Sequence, residues 1–195
     1  LRPSALDWRR STLLLAAGST LLTAQGHAPS VVLPLANGVL MLGITGYFRS
    51  IRRFYGKPDS PWIALPLALA MPPTVFFATV MPSLRLRIVV ASVAWVSILG
   101  GTFVTLVRER DKERAVSRKV LAVLFGSVLT FMAVRGTYYG IMGASTATVL
   151  DKSALNVATP IFAAMLPVIG TTAFTLMCSE RIRRNWEIAA STDYL

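Results

Sequence analysis

Four long stretches of the chain contain no charged side chain, and they decide what the chain can fold into. These stretches are residues 11–48, 60–84, 88–107 and 153–179. An α-helix needs about 20 apolar residues to cross the hydrocarbon core of a bilayer, and each stretch reaches that length. The whole chain is 15% charged, whereas a soluble domain is about 25% charged. We therefore expect an all-α, polytopic transmembrane helix bundle rather than a soluble domain with a buried core.

Prolines, glycines and charged turns divide the apolar sequence into six predicted membrane spans. The six spans cover residues 11–25, 31–48, 61–80, 86–107, 119–142 and 154–178. The first span is the shortest, and the last is expected to continue as a helix into the charged tail. The chain thus divides into a transmembrane bundle, residues 1–178, and a juxtamembrane helix, residues 179–195.

The distribution of Lys and Arg predicts the orientation of these spans. The N-terminal segment, the loops after the second and fourth spans, and the tail all fall on one side of the membrane, and they hold sixteen of the 20 basic residues. Three basic residues lie on the opposite side. Because Lys and Arg are retained in cytoplasmic loops, both ends are predicted to be cytoplasmic. The even number of predicted spans agrees, since it places the two ends on the same side of the membrane. The same distribution explains the net charge of +11 without a nucleic-acid partner, since the basic residues form short clusters between spans.

The last five residues, Ser191-Thr192-Asp193-Tyr194-Leu195, follow the charged helical tail. They resemble the entry to a GGDEF domain, where a helix runs into the motif D-x-L-T-G-L-x-N-R, and Asp193 and Leu195 match its first two fixed positions. The resemblance implies a membrane-bound diguanylate cyclase of the bacterial inner membrane, with this chain as its sensor region. The catalytic domain would then follow, bind GTP and Mg²⁺, and make cyclic di-GMP from two GTP molecules.

The first 60 residues are similar to the N-terminal halves of multi-span GGDEF proteins. The similarity is carried by Arg2, Trp8, the segment Leu35-Ala36-Asn37-Gly38 and the segment Arg53-Phe54-Tyr55-Gly56-Lys57. In those proteins a further helix usually precedes this order, which implies a seventh span before residue 1.

The charged tail has the apolar spacing of a helix that pairs with another helix. Cys178, Ile182, Trp186 and Ala189 are separated by four, four and three residues, which places them near one face. Two copies would form a short parallel coiled coil, so we expect a homodimer through this signalling helix. The resemblance implies the same, because two GGDEF domains must face each other to react. A lone amphipathic helix with snorkelling arginines fits the spacing equally well.

Arg135 lies deep inside a predicted span, away from its ends, and Tyr138 and Tyr139 follow it. An ionisable residue within the membrane is costly and marks a candidate functional site. Arg135 is predicted to bind a lipid headgroup or a small hydrophobic or anionic ligand between the two tyrosine rings. Alternatively, it reaches the membrane surface or bonds helix carbonyls without a ligand.

Proline positions add a second candidate feature of the last span. Pro160 and Pro167 each remove a backbone donor and favour a kink, in the helix that would carry a signal. The sequence holds one Cys and one His, so no disulfide within the chain and no His- or Cys-based metal site is expected. We identify no catalytic residue and no cofactor of this chain itself.

Two other classes of protein fit parts of the sequence. A small membrane transporter or channel is compatible with prolines in spans and with one intramembrane arginine. A histidine kinase could use the same kind of sensor region and the same helix that leaves the membrane.

Overall fold

The computed structural model describes residues 2–23, 32–109, 115–142 and 154–192, and these residues form helices joined by turns. The helices are α1 (Arg2–Thr23), α2 (Val32–Phe54), a short 3₁₀ helix (Pro61–Ala64), α3 (Leu65–Thr79), α4 (Leu84–Arg108), α5 (Val116–Met142) and α6 (Ala154–Thr192). No strand occurs in the described residues, so the all-α prediction is confirmed for that part of the chain.

Five of the described helical segments are long and apolar enough to cross a membrane: α2, the 3₁₀ helix with α3, α4, α5 and α6. The membrane character of the chain therefore agrees with the prediction. Helix α1 does not meet that criterion, because its first half carries Arg2, Asp7, Arg9 and Arg10. Its uncharged part, residues 11–23, is about 20 Å long at 1.5 Å per residue. The sixth span stays a prediction.

Helix α1 begins at Arg2, nine residues before the predicted span, because its charged half packs on α2. The Ser50 hydroxyl donates to the Ser4 carbonyl at 2.8 Å, and Arg53 Nη1 lies 2.6 Å from Asp7 Oδ2. The two helices are antiparallel and close. A Cβ atom at Gly46 would lie only 2.2 Å from Ser11 Oγ, so any larger residue here would force the Ser11 side chain to move.

A buried aromatic cluster joins three helices of the bundle. Trp8 of α1 stacks on Phe174 of α6, with ring centroids 4.2 Å apart, and lies 4.2 Å from the ring of Tyr47 in α2. The indole N–H of Trp8 donates to Thr171 Oγ1 at 3.1 Å. These contacts fix α6 to the rest of the bundle shortly before it leaves the core.

The start of α1 and the exit of α6 lie at the same end of the bundle. Asp7 contacts Arg53, and Arg181 of α6 donates to the carbonyl of Phe54, one residue further along α2. This arrangement agrees with the expectation that the two ends share one side of the membrane. Which compartment that side faces stays a prediction from the charge distribution.

Candidate functional site

Helix α6 extends beyond the bundle as one uninterrupted helix. It contains 39 residues, which corresponds to about 58 Å at 1.5 Å per residue. The predicted continuation of the last span into the charged tail is therefore confirmed as far as Thr192. From Ile182 to Ser191 every residue is exposed, including Ile182 at 46% and Trp186 at 72%.

The exposed apolar residues of the tail begin at Ile182, one helical turn later than the predicted start at Cys178. Ile182, Trp186 and Ala189 are exposed, whereas Cys178 is half-buried and packs against the core of its own bundle. Sequence reasoning passed over Ile188, which is 59% exposed. Three large apolar side chains, Ile182, Trp186 and Ile188, thus project from the free part of α6, where the described residues of the chain leave them exposed.

Both prolines of the predicted kink lie inside α6, and the helix passes through them without ending. Pro167 is half-buried among neighbouring helices. Membrane helices tolerate proline because surrounding groups satisfy the freed backbone carbonyl. Kinking at Pro160 or Pro167 stays a prediction.

The point where α6 leaves the bundle is held by two polar contacts from its neighbours. We call this point the junction, formed by Phe54, Ser117, Glu180 and Arg181. The Ser117 hydroxyl of α5 donates to Glu180 Oε2 at 2.6 Å. The Arg181 guanidinium bonds the Phe54 carbonyl and lies 4.8 Å from the centroid of the Phe54 ring. Movement of α6 relative to α2 or α5 must change these contacts.

An ion-pair cluster next to the junction joins α1, α2 and the turn after α2. Asp59 accepts from Arg53 at 2.5 Å and from Arg49 at 2.8 Å, while Arg53 also contacts Asp7 at 2.6 Å. Hydrogen bonds from Arg53, and then from Arg49, hold the pKa of the Asp59 carboxyl well below its usual range. The cluster thus fixes the end of α2, on which Arg181 rests.

Arg135 lies near the opposite end of the bundle from the junction. It is 19 residues after the start of α5, a rise of about 28 Å. Its guanidinium carbon is 5.8 Å from the ring centroid of Tyr139, which is buried. Tyr138 is 43% exposed and meets the edge of Tyr139 with centroids 5.4 Å apart. Tyr139 is therefore beside the Arg135 cation, as predicted. Tyr138 contacts Tyr139 on the side away from Arg135 rather than forming a second wall.

Polar groups near Arg135 are buried without hydrogen-bond partners among the described residues. They are Arg135 Nε and Ser92 Oγ. Ser92 faces Gly136, one residue beyond Arg135, across the contact between α4 and α5. A buried polar group without a partner costs free energy, so an acceptor supplied by a ligand would stabilise this end of the bundle.

An apolar groove runs along α5 between α4 and α6, on the side of Arg135 that faces the junction. Its volume is about 640 Å³, and its walls include Phe103, Phe131 and Phe162, one from each helix. The rings of Phe131 and Phe162 are stacked at 4.3 Å. Arg135 lies one helical turn beyond Phe131 on α5, and residues four apart are neighbours on a helix surface.

The described residues offer no cluster of three or more His, Cys, Asp or Glu side chains that could hold a metal ion. Asp193 and Leu195, the two residues of the predicted family motif, lie outside the described residues. Comparison of the chain with family models, curated proteins and solved structures finds no match to any of them. Its function must therefore be argued from the geometry of α6 and of Arg135.

Proposed function

We propose that this chain is the transmembrane sensory region of a diguanylate cyclase, with α6 as the helix that carries the signal to a dimeric catalytic domain. The single observation that supports the proposal is the continuity of α6. One helix begins at the end of the bundle near Arg135, contacts α1 and α5, and ends as a free segment with exposed Ile182 and Trp186. Asp193 and Leu195 favour a GGDEF domain over a histidine kinase as the domain that follows.

The proposed mechanism requires α6 to adopt two arrangements relative to the bundle. A ligand shifts such an equilibrium only when it binds one arrangement more tightly than the other. The contacts that differ between the two arrangements are those at the junction and the Trp8–Phe174 stack, since they join α6 to helices that stay in place. Rotation or tilt of α6 would then change how two catalytic domains, each with one GTP, face each other.

The proposed ligand is an amphiphile with an acidic group. Its acidic group would accept a hydrogen bond from Arg135, whose Nε has no partner in the described part of the chain. Its apolar part would lie in the groove beside Phe131 and Phe162. Because Phe162 belongs to α6, occupancy of the groove acts directly on the proposed signalling helix.

The proposal is tested by joining a GGDEF domain after residue 195 and measuring cyclic di-GMP made by membranes that contain the fusion. We expect the rate of cyclic di-GMP synthesis to change several-fold when Arg181→Ala removes the contact between Arg181 and the Phe54 carbonyl. Arg183→Ala is the matched control, since Arg183 is exposed and, among the described residues, its ion pair is with Glu187 of its own helix, at 3.4 Å. Equal synthesis by the fusion, by both variants and by the GGDEF domain without the bundle would refute control by α6.

A further inference from the structure

The floor of the apolar groove beside Arg135 is one stripe of α5. It runs from Ala122 to Val134, which is about 18 Å at 1.5 Å per residue. Arg135 directly follows Val134, so a cation stands at one end of the floor, and the end at Ala122 lies toward the junction. The groove is therefore long and apolar, with a charge at one end.

Two aromatic rings form walls at different positions along this floor. The ring of Phe162 in α6 stacks on Phe131, one helical turn from Arg135. Further along, the ring of Phe103 in α4 packs over Gly126, where a Cβ atom would lie 3.1 Å from Phe103 Cε2. A molecule held at Arg135 would therefore meet apolar side chains as soon as it enters the groove.

The hydroxyl groups of the floor are already bonded within α5. Ser127 donates to the Val123 carbonyl at 2.9 Å. Thr130 donates to the Gly126 carbonyl at 3.0 Å. Because each hydroxyl has one hydrogen to donate, neither side chain can donate to a ligand in this arrangement. An ester or amide carbonyl placed along the floor would find no donor from these side chains, which costs free energy.

The charged end of the groove favours a carboxylate. Arg135 Nε is buried without a hydrogen-bond partner among the described residues, and a guanidinium can bind a carboxylate through two parallel bonds. A phospholipid phosphate would also supply an acceptor, but its glycerol and ester atoms would then lie beside Val134 and Phe131, which are apolar. The site thus fits an acid whose apolar tail begins directly at the acidic group.

The length of the floor sets the length of that tail. A C–C bond of about 1.52 Å at an angle of about 111° advances an extended chain by about 1.25 Å per carbon. The floor of about 18 Å therefore holds about 14 carbons. Apolar burial alone adds little selectivity, because bilayer lipid is as apolar as the groove. Selection comes from the ion pair with Arg135 and from the fit of the tail.

We propose that the ligand of this site is a free, unbranched carboxylic acid with a single tail of about 14 to 16 carbons. Its carboxylate pairs with Arg135, and its tail lies along α5 as far as Ala122. The inference rests on the proposed function for its biological use, and it narrows the acidic amphiphile to one chemical class.

Native mass spectrometry of the complete chain in detergent micelles tests the ligand class. Octanoate, dodecanoate, hexadecanoate and eicosanoate are each added at one concentration, as are hexadecanol and phosphatidylglycerol. We expect the fraction of chain that retains a ligand to rise at least fivefold from octanoate to hexadecanoate, and to rise no further with eicosanoate. Hexadecanol lacks the charge, and phosphatidylglycerol carries polar groups behind its phosphate, so each should be retained at least fivefold less than hexadecanoate.

A substitution at the far end of the groove tests the relation between floor and tail length. Val123 lines the groove and is 69% exposed, so Val123→Trp fills the last turn of the floor and should leave the core in place. The best-retained acid should then shorten by about four carbons, which corresponds to one turn of about 5.4 Å, to dodecanoate. Val168→Trp is the matched control and should still prefer hexadecanoate, since Val168 is 67% exposed and lies outside the residues that line the groove. Thermal unfolding at the same temperature shows that both variants are folded.

Equal retention of phosphatidylglycerol and hexadecanoate would overturn the inference and leave an acidic amphiphile at Arg135 in place. The same holds for retention that depends neither on tail length nor on Val123→Trp. Hexadecanoate retained equally by Arg135→Leu would overturn the site itself. Failure of the proposed function gives a different result: cyclic di-GMP synthesis by the GGDEF fusion would stay unchanged when hexadecanoate binds with the expected selectivity.

Discussion

The indole ring of Trp8 lies face to face on the phenyl ring of Phe174, with centroids 4.2 Å apart and planes within 4° of parallel. The contact joins residues 166 positions apart, one near the start of α1 and one in the last buried turns of α6. Because Trp8 also bonds Thr171, α1 has a direct influence on the position of the proposed signalling helix. The charged half of α1 is therefore part of the bundle, and its contacts help to set the position of α6.

Replacement of Trp8 by alanine should destabilise the bundle strongly. Trp8 is 3% exposed, and loss of a buried Trp side chain costs about 3–5 kcal/mol. Trp8→Phe, which keeps a stacked ring but loses the bond to Thr171, should cost about 1 kcal/mol. The measurement is the free energy of unfolding in mixed detergent micelles, with Trp62→Ala as the control because Trp62 is 73% exposed. Equal losses for Trp8→Ala and Trp62→Ala would contradict the role of the stack.

The approach of α1 to α2 predicts an asymmetric effect of two glycine substitutions. A Cβ at Gly46 would lie 2.2 Å from Ser11 Oγ, whereas the nearest atom to a Cβ at Gly100 is 4.0 Å away. Gly46→Ala should therefore destabilise the fold by about 1–3 kcal/mol through overcrowding, and Gly100→Ala should not. Thermal unfolding of the two purified variants compares them, and Ser11→Gly should restore part of the loss in the Gly46→Ala variant. Lack of any difference between the two alanine variants would show that α1 is not packed this closely.

Asp59 should make the stability of the bundle depend on pH in the acid range. Its folded pKa is lowered by Arg53 and Arg49, so its contribution is fully present above the unfolded pKa of about 3.9 and is lost as the pH falls below that value. The contribution should be about 1 kcal/mol or less, because the carboxyl is exposed to solvent. Asp59→Asn should be less stable than the natural chain at pH 7, and the difference should narrow below pH 4. A constant difference across that range would mean that the ion pairs do not stabilise the fold.

Arg135 should be required for retention of acidic amphiphiles. Native mass spectrometry of the chain with added oleate or phosphatidylglycerol should show bound ligand that is lost in Arg135→Leu. Arg9→Leu is the control, since Arg9 is exposed at the other end of the bundle. Retention of oleate alone would identify a carboxylate ligand, and retention of phosphatidylglycerol alone would identify a lipid headgroup. Equal adducts in both variants would show that Arg135 is not the site.

The helices were predictable from the sequence because long uncharged stretches leave the chain few alternatives in a membrane. The start of α1 was not, since the charges at Arg2, Asp7 and Arg9 hide a helix whose stability comes from Ser50 and Arg53 of α2. Contacts between residues far apart in sequence leave no periodic signal in either segment.

The candidate site was predictable to a similar extent. A cation inside an apolar stretch marked Arg135, and spacing marked Ile182 and Trp186. Nothing in the local pattern indicated that Ser117 would bond Glu180, because the two residues lie on different helices.

The most direct test of control by α6 is the dependence of cyclic di-GMP synthesis on helical phase. Alanines, one to seven in number, are inserted between Ala190 and Ser191 in the fusion to a GGDEF domain, where the helix is exposed. Each alanine rotates the following domain by about 100°, and seven restore the original phase to within about 20°. Synthesis of cyclic di-GMP should be lowest near two and five alanines, recover in part at four, which lies about 40° past a full turn, and recover most at seven. Synthesis that is unchanged by every insertion, or that declines steadily with length, would contradict transmission through a continuous helix.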